Sequence, residues 1–250
     1  MNKISIITPF KNSSDKFIET YRSVINQTFI DFEWIIIDDA SSHKEFKNLS
    51  DIVTDRRVTI YKNSFEKGAG GARNFGITKI KGQYLTFIDS DDSWELIFLE
   101  RMMGLINSSK GIIFSGYKRF DCRKSSYLSN FVPTNLPITN KNILKGSPIS
   151  CLTTFIDISK FDSIPFFGNF TARNDLVFFY RLLGKVEYAL PVNDVLATYN
   201  IMSKSISRNK LRALKYQWLV CRNIANLSII ISVYNCICWM SYGIRKYYIN

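Results

Sequence analysis

Apolar residues along this chain fall into two rhythms. Short unbroken runs come first: "ISIIT" at 4–8, "EWIIID" at 33–38, "RVTIYKN" at 57–63 and "QYLTFID" at 83–89. Runs without polar alternation predict parallel strands covered on both faces. Between them the apolar spacing changes to three and four. "SSDKFIETYRSVINQ" places Phe17, Tyr21, Val24 and Ile25 on one helical face, behind Ser13 or Ser14 as cap. "GAGGARNFGITKIKG" at 68–82 predicts a turn feeding a helix that starts at Ala72 and carries Arg73 in its first turn. Strands and helices in alternation predict a doubly wound α/β sheet.

The pattern continues with a helix over 95–107, a strand in "GIIFSGYKRF" at 111–120, and a Ser-, Asn- and Pro-rich loop over 121–148 with a short helix near 140–145. "CLTTFIDI" at 151–158 and "VEYALPVNDVLATYN" at 186–200 predict strands flanking a helix at 173–184. The end of the chain differs. "NKLRALKYQWLVCRNIA" puts Leu211, Leu214, Trp218 and Cys221 on one helical face, with Arg212, Lys215 and Arg222 beside it. "LSIIISVYNCICWMSYGI" follows, apolar but interrupted by Ser, Asn and Tyr. It reaches the minimum span of a bilayer, ~18 residues. Three placements stay open: in the membrane interface, packed on the protein, or across the bilayer.

Composition adds charge and compartment. With 33 Lys plus Arg against 21 Asp plus Glu, the 250 residues carry a formal +12. That balance favours anionic partners and says little about fold. Asp194 is the last acidic residue, so 195–250 carry Lys204, Arg208, Lys210, Arg212, Lys215, Arg222, Arg245 and Lys246 unopposed. Five cysteines in no disulfide or zinc pattern, and the one histidine, His43, point to reduced thiols in a cytosolic setting. The apolar segment before Pro9 is too short for a signal peptide.

The chemistry gathers at predicted strand ends, where ligands sit in open α/β sheets. Asp89, Asp91 and Asp92 follow one strand, Asp38 and Asp39 a second, and Thr8, Pro9, Phe10, Lys11 and Asn12 a third. Hard carboxylate oxygens without His or thiolate suit Mg²⁺ or Mn²⁺, which take one or two protein carboxylates and leave positions for phosphate. The same residues read also as an acidic helix cap. Asp38 and Asp39 could accept from a base or ribose, with Pro9 and Phe10 as a flat apolar wall. The glycine-rich segment offers Arg73 and free N–H groups to phosphate, and is neither a dinucleotide fingerprint nor a P-loop. Glu95 is either a third metal-shell group or the first-turn residue of the next helix.

In this order, "ITPFKN", "YRSVINQTF", "WIIIDDAS", "GGARNFGI" and "YLTFIDSDD" resemble the family 2 glycosyltransferases of the GT-A fold, over residues 3–208. "DSDDSWE", "ISCLTTFID", "NDLVFFYRLL" and "VLATYN…SISRNK" resemble the bacterial members that build O-antigen and related surface polysaccharides on a lipid carrier. The resemblance implies an inverting transferase with a mostly parallel central sheet flanked by helices and a basic amphipathic helical tail. Residues 1–208 would be the GT-A domain, with 1–110 its nucleotide-sugar half and 111–208 its acceptor half; 209–250 would be a membrane-associating tail. It further implies Mn²⁺ or Mg²⁺ on Asp91, with Asp89 nearer the ribose in the Asp89-Ser90-Asp91 motif. Thr8, Pro9, Phe10, Asn12, Asp38, Asp39 and Arg73 would line the donor nucleotide, and Asp175 would be the catalytic base. Relatives carry Glu-Asp where this chain has Asn174-Asp175, and often Tyr-Arg where it has Tyr199-Asn200; Arg208 or Lys210 could then supply the phosphate contact.

The expected partners are a UDP-sugar and a polyprenyl-diphosphate-linked saccharide, met as a peripheral protein at the cytoplasmic face of the inner membrane. Glucose or galactose onto an N-acetylhexosamine is the favoured transfer. Nucleic acid is not expected, because carboxylates at the strand ends would repel it. Oligomeric state stays open, a homo-oligomer included. A phosphohydrolase and a non-catalytic basic lipid- or nucleic-acid-binding protein are the rival classes.

Overall fold

The computed structural model describes residues 3–170, 172–202 and 210–245. Four parallel strands form the first half of the sheet: β1 (Ile4–Phe10), β2 (Phe32–Asp38), β3 (Val58–Lys62) and β4 (Tyr84–Phe87). They follow the helices α1 (Ser14–Ile25), α2 (His43–Ile52) and α3 (Ala69–Ile77) in alternation, as the spacing predicts. Beyond β4 come β5 (Ser93–Trp94), α4 (Phe98–Ile106), β6 (Ile112–Asp121), β7 (Ser126–Phe131), β8 (Thr154–Asp157), α5 (Asn174–Leu183) and β9 (Leu190–Ile201). All nine strands form one sheet in the order β3-β2-β1-β4-β8-β6-β9-β5, with β7 paired to β6. β5, β7 and β8 run against the others.

The unbroken Ile runs are explained by what lies on either side. Ile4, Ile6, Trp34 and Ile36 pack with Phe17, Tyr21 and Val24 of α1 and Phe98 and Met102 of α4. Ile7, Ile35, Ile37, Leu85 and Phe87 pack on the opposite face with Ala72 of α3 and Leu176, Phe178 and Leu182 of α5. Most residues of these strands therefore meet an apolar layer, and the few polar ones inside, Ser5, Thr8 and Thr86, are buried with hydrogen-bond partners. The polar groups are displaced to the carboxyl ends of β1, β2 and β4, which lie side by side.

Three boundaries differ from the sequence reading. α3 begins at Ala69, so Arg73 sits in its second turn. Gly68, at φ +108°, makes the bend alone, and the glycines after it are needed for closeness. A Cβ on Gly71 would lie 1.8 Å from the Glu66 carbonyl oxygen, and one on Gly70 would lie 2.8 Å from Asn174 Nδ2. Residues 126–131, expected as loop, form the edge strand β7, whose outward side chains leave Tyr127 and Leu128 exposed. α4 starts at Phe98, three residues later than expected, because Ser93 and Trp94 first pair with β9.

The chain ends in α6 (Lys210–Leu219), which runs through a wider π turn at Val220–Ile224, and in α7 (Ile229–Ile244). Val220 and Cys221 are buried against the α5 side of the core. Leu211, Leu214 and Trp218, expected on one helical face, line one groove with α7, and Leu211 at its end is exposed. Among the described residues, no helix is long and apolar enough to cross a membrane.

Candidate active site

The turn after β4 divides three carboxylates by what packs against them. Asp89 is partly exposed and ion-paired with Arg73. Asp92 is buried: its Oδ1 accepts from the Asn200 backbone N–H at 2.8 Å, and its carbonyl accepts from Thr20 Oγ1 at 2.7 Å. Asn200 also donates from Nδ2 to the Asp91 carbonyl at 2.6 Å. Ser90 is linked to Ser13 through their hydroxyls at 2.8 Å. Among the described residues, the Asp91 carboxylate receives no hydrogen bond from another residue. Burial, and then the neighbouring Asp89 charge, push it up to about 6. Asp92 is driven well above the ordinary carboxylate range by burial and by Asp91 and Asp89, against the Asn200 N–H and Arg73. The acidic turn is thus short of positive charge at Asp91.

Glu95 belongs to neither role weighed for it. Its carboxylate pairs with Lys118 Nζ at 2.7 Å, and its backbone N–H bonds Leu196, ahead of α4.

At the end of β2, Asp39 is buried and richly bonded. It accepts from the Gly68 N–H and Asn63 Nδ2, each at 2.8 Å, and from Lys11 Nζ at 3.4 Å. Burial alone would raise its pKa, but Asn63, Gly68 and Lys11 together hold it below the ordinary 3.8. Asp38 accepts from the Ser41 N–H at 3.2 Å. Asn12, at φ +47°, joins the β1 and β2 loops: its N–H donates to Ser41 Oγ and its Oδ1 accepts from the Ser42 N–H. Pro9 is half-buried, whereas Thr8 and Phe10 face the core. Thr8 Oγ1 accepts from Trp34 Nε1 at 2.8 Å, and Phe10 meets Phe17 edge to face. The flat wall expected of Phe10 is therefore not at the cleft surface, because an aromatic ring is needed there to close the core over α1.

Asp175 is the second residue of α5, half-buried, with Oδ1 accepting from the Leu176 N–H at 2.8 Å. The preceding Arg173 has φ +64° and donates from Nη2 to Gln217 of α6 at 2.6 Å. Asn174 lies against Gly70, so the N-termini of α3 and α5 abut. Arg73 pairs with Asp89. It is buried, stacked 5.3 Å over Phe167, and has its Nε without a partner among the described residues. Burial opposes its charge, but Asp89 and, more weakly, Asp175 raise its pKa above the ordinary value. Cys151 lies close enough to feel the same groups, and burial pushes its thiol up to about 12, so it stays neutral.

The structure thus brings together Arg73, Asp89, Asp91 and Asp175, with Asp39 and Gly68 at the other end of α3's first turn. Sequence reasoning missed Asn63, Asn200 and Arg173, whose side chains act on residues 24, 109 and 44 positions away. Arg208 lies outside the described residues, as does the Lys210 side chain. Among the described residues, no three His, Cys, Asp or Glu side chains form a ready-made metal cage. A two-carboxylate set with one under-compensated oxygen donor fits a Mg²⁺-class ion that completes its sphere with phosphate.

The model of Glycosyl transferase family 2 matches residues 5–164. The putative teichuronic acid biosynthesis glycosyltransferase TuaG of Bacillus subtilis is 33% identical over 90% of this chain and 89% of its own. The Escherichia coli UDP-Glc:α-D-GlcNAc-diphosphoundecaprenol β-1,3-glucosyltransferase WfgD is 28% identical over 98% of this chain and 94% of its own. Among solved structures, S. aureus TarS 1–349 in complex with UDP-GlcNAc superposes with a TM-score of 0.69 at 16% identity, over 97% of this chain and 72% of its own. The chain belongs to Glycosyl transferase family 2, has the GT-A fold and is a glycosyltransferase.

Proposed function

We propose that this glycosyltransferase moves a hexosyl group, glucose or galactose, from a UDP-sugar to a polyprenyl-diphosphate-linked N-acetylhexosamine, with inversion to a β-linkage. The observation that carries the reading is that the N-termini of α3 and α5 abut, with Arg73 of α3 ion-paired to Asp89 of the acidic turn and Asp175 in the first turn of α5. WfgD, named for a UDP-Glc donor and a GlcNAc-diphosphoundecaprenol acceptor, supports the donor and acceptor classes, and TuaG, named for teichuronic acid biosynthesis, supports a role in polysaccharide assembly; both match nearly end to end.

The chain's own groups have separable tasks. Asp39, Asp38 and the Gly68 loop hold the nucleoside, exchanging the present bonds to Asn63 and Lys11 for contacts to base and ribose. The N-termini of α3 and α5, with Arg73, attract the diphosphate. Asp175 accepts the proton of the acceptor hydroxyl as that oxygen attacks the anomeric carbon; the new C–O bond forms as the C–O bond to the nucleoside diphosphate breaks with its electron pair. Mn²⁺ or Mg²⁺, held by Asp91 with Asp89, would act as a Lewis acid toward the departing diphosphate. Because the acceptor is lipid-borne, the protein works peripherally at the cytoplasmic membrane face.

A donor screen tests this: purified protein, UDP- and GDP-sugars, a lipid-diphosphate N-acetylhexosamine, and Mn²⁺ or Mg²⁺. Transfer from one UDP-hexose is expected, abolished by EDTA and by Asp91→Ala, and reduced ~10²–10⁴-fold by Asp175→Ala with UDP binding retained. Full activity of either variant would refute the assignment.

A further inference from the structure

The last helix carries a fully apolar face outward. In α7 the side chains turned toward the protein are mixed: Ser232 and Asn235 are buried, each donating to a carbonyl one turn back at 2.8 Å, beside Cys236, Trp239 and Tyr242. The side chains turned outward are Ile229, Ile230, Val233, Ile237, Met240 and Ile244, all exposed, from 41% for Met240 to 82% for Ile230. At 100° per residue these six fall within about 100° of arc, a continuous apolar stripe along the whole helix. The stripe runs into a groove of about 460 Å³ between α6 and α7, floored by Leu214 and Trp218. A helix that only packed on the domain would not keep so continuous an apolar stripe in water, where burying it is favourable. Such a face needs an occupant.

Charge selects among occupants. Residues 195–250 contain no acidic side chain, and Arg212, Lys215 and Arg245 are exposed around the stripe. A second copy seated here would place two basic surfaces together. A bilayer carrying anionic headgroups complements both the apolar stripe and its basic margin. Tyr234, at the edge of the stripe, suits the headgroup level.

We propose that α7 is an in-plane membrane anchor, its Ile-rich face in the acyl boundary of an anionic bilayer, and that this docking turns the Asp175 end of the cleft toward the membrane. The second clause rests on the transferase reading and on a direct contact. Trp239 of α7 lies under the Arg173 guanidinium at 5.1 Å, two residues before Asp175. Lys145 lies over Tyr234 at 5.3 Å, and Tyr242 fills the space where a side chain on Gly146 would be, fixing α7 to the domain. A lipid-borne acceptor would then meet the base without leaving the bilayer surface.

The test compares the full chain with Ile230→Gln/Ile237→Gln/Ile244→Gln, whose three positions are exposed and leave the core intact. Flotation with phosphatidylethanolamine/phosphatidylglycerol vesicles, and with phosphatidylcholine alone, is read without donor or acceptor. Wild type should bind the anionic vesicles more tightly than the neutral ones, and the variant should lose about tenfold or more. The variant should keep its rate on an acceptor with a short water-soluble chain and lose rate on the same acceptor in vesicles. Vesicle binding equal to wild type, or a wild-type dimer dissolved by the variant without vesicle binding, would overturn the anchor. Equal loss on both acceptors would overturn the orientation. Stripe-dependent vesicle binding with no transfer at all would keep the anchor and refute the transferase reading.

Discussion

Replacing Asn200 by Ala isolates one contact of the acidic turn. The substitution removes the 2.6 Å bond from Nδ2 to the Asp91 carbonyl but keeps the backbone N–H that serves Asp92 at 2.8 Å. The cost is one net hydrogen bond plus a half-buried carbonyl left unmatched, about 1–2 kcal/mol. For a chain of this size that corresponds to a fall in Tm of roughly 2–8 °C. The larger consequence is local. Among the described residues, this is the side-chain bond that holds the Asp91 backbone, so the carboxylate that would bind Mn²⁺ loses its alignment. Outer supports of metal ligands typically contribute about 10–100-fold in affinity, and a shift of that order is expected in the Mn²⁺ concentration giving half-maximal transfer. The paired assay is thermal unfolding without metal, then rate against Mn²⁺ at saturating donor. A Tm within 1 °C of wild type (about the size of a negligible effect) with an unchanged Mn²⁺ dependence would refute the bracing role. A lowered Tm with unchanged Mn²⁺ dependence would leave Asn200 a purely structural residue.

Two further outcomes follow from the nucleotide side. Gly71→Ala should displace the 64–71 loop, since the new Cβ would meet the Glu66 backbone at 1.8 Å, costing about 1–3 kcal/mol or more and weakening UDP binding. Gly104→Ala, inside α4 with nothing within 4 Å, should instead stabilise by about 0.5–1 kcal/mol with UDP binding unchanged, both read by denaturant melts and UDP titration. Asp39 is held below its ordinary 3.8, so its contribution to stability is complete above that pH and is lost as pH falls through the lower, folded value. Asp39→Asn should therefore be less stable than wild type at pH 7, with the gap closing below about pH 3.8; a gap independent of pH would refute the charge-based account.

What was legible in the sequence is what a single segment determines. Ile35, Ile36 and Ile37 announce a strand buried on two faces because each must be apolar whichever layer it meets, and the local pattern alone carries that. β7 was not legible, since Ser126 to Phe131 have no apolar run of their own and become a strand only where β6 offers its open edge. The start of α3 was misplaced for a related reason. Glycines usually mark a bend, but Gly70 and Gly71 are demanded by Asn174 and Glu66 coming close, and closeness cannot be read from the glycines.

The acidic turn shows the same limit at the level of chemistry. Asp89, Asp91 and Asp92 are one residue type within four positions, and sequence treats them as a cluster. Folding gives each a different environment: Asp89 meets Arg73 from α3, Asp92 meets the backbone of Asn200 from β9, and the Asp91 carboxylate receives no hydrogen bond from another of the described residues. The distinction arises entirely from partners 16 and 108 residues away. Like charges so close should repel, and the fold answers by pairing Asp89 with Arg73 and by raising the pKa of Asp91 and Asp92. The turn is therefore tolerable without a ligand, and the proposed cation would bind at Asp91, which follows from the distant partners and not from the motif itself. Asn200 makes the point most sharply. Read as a departure from Tyr-Arg, it looked like a lost phosphate contact; in the folded chain it is the residue that holds Asp91 and Asp92 apart in role.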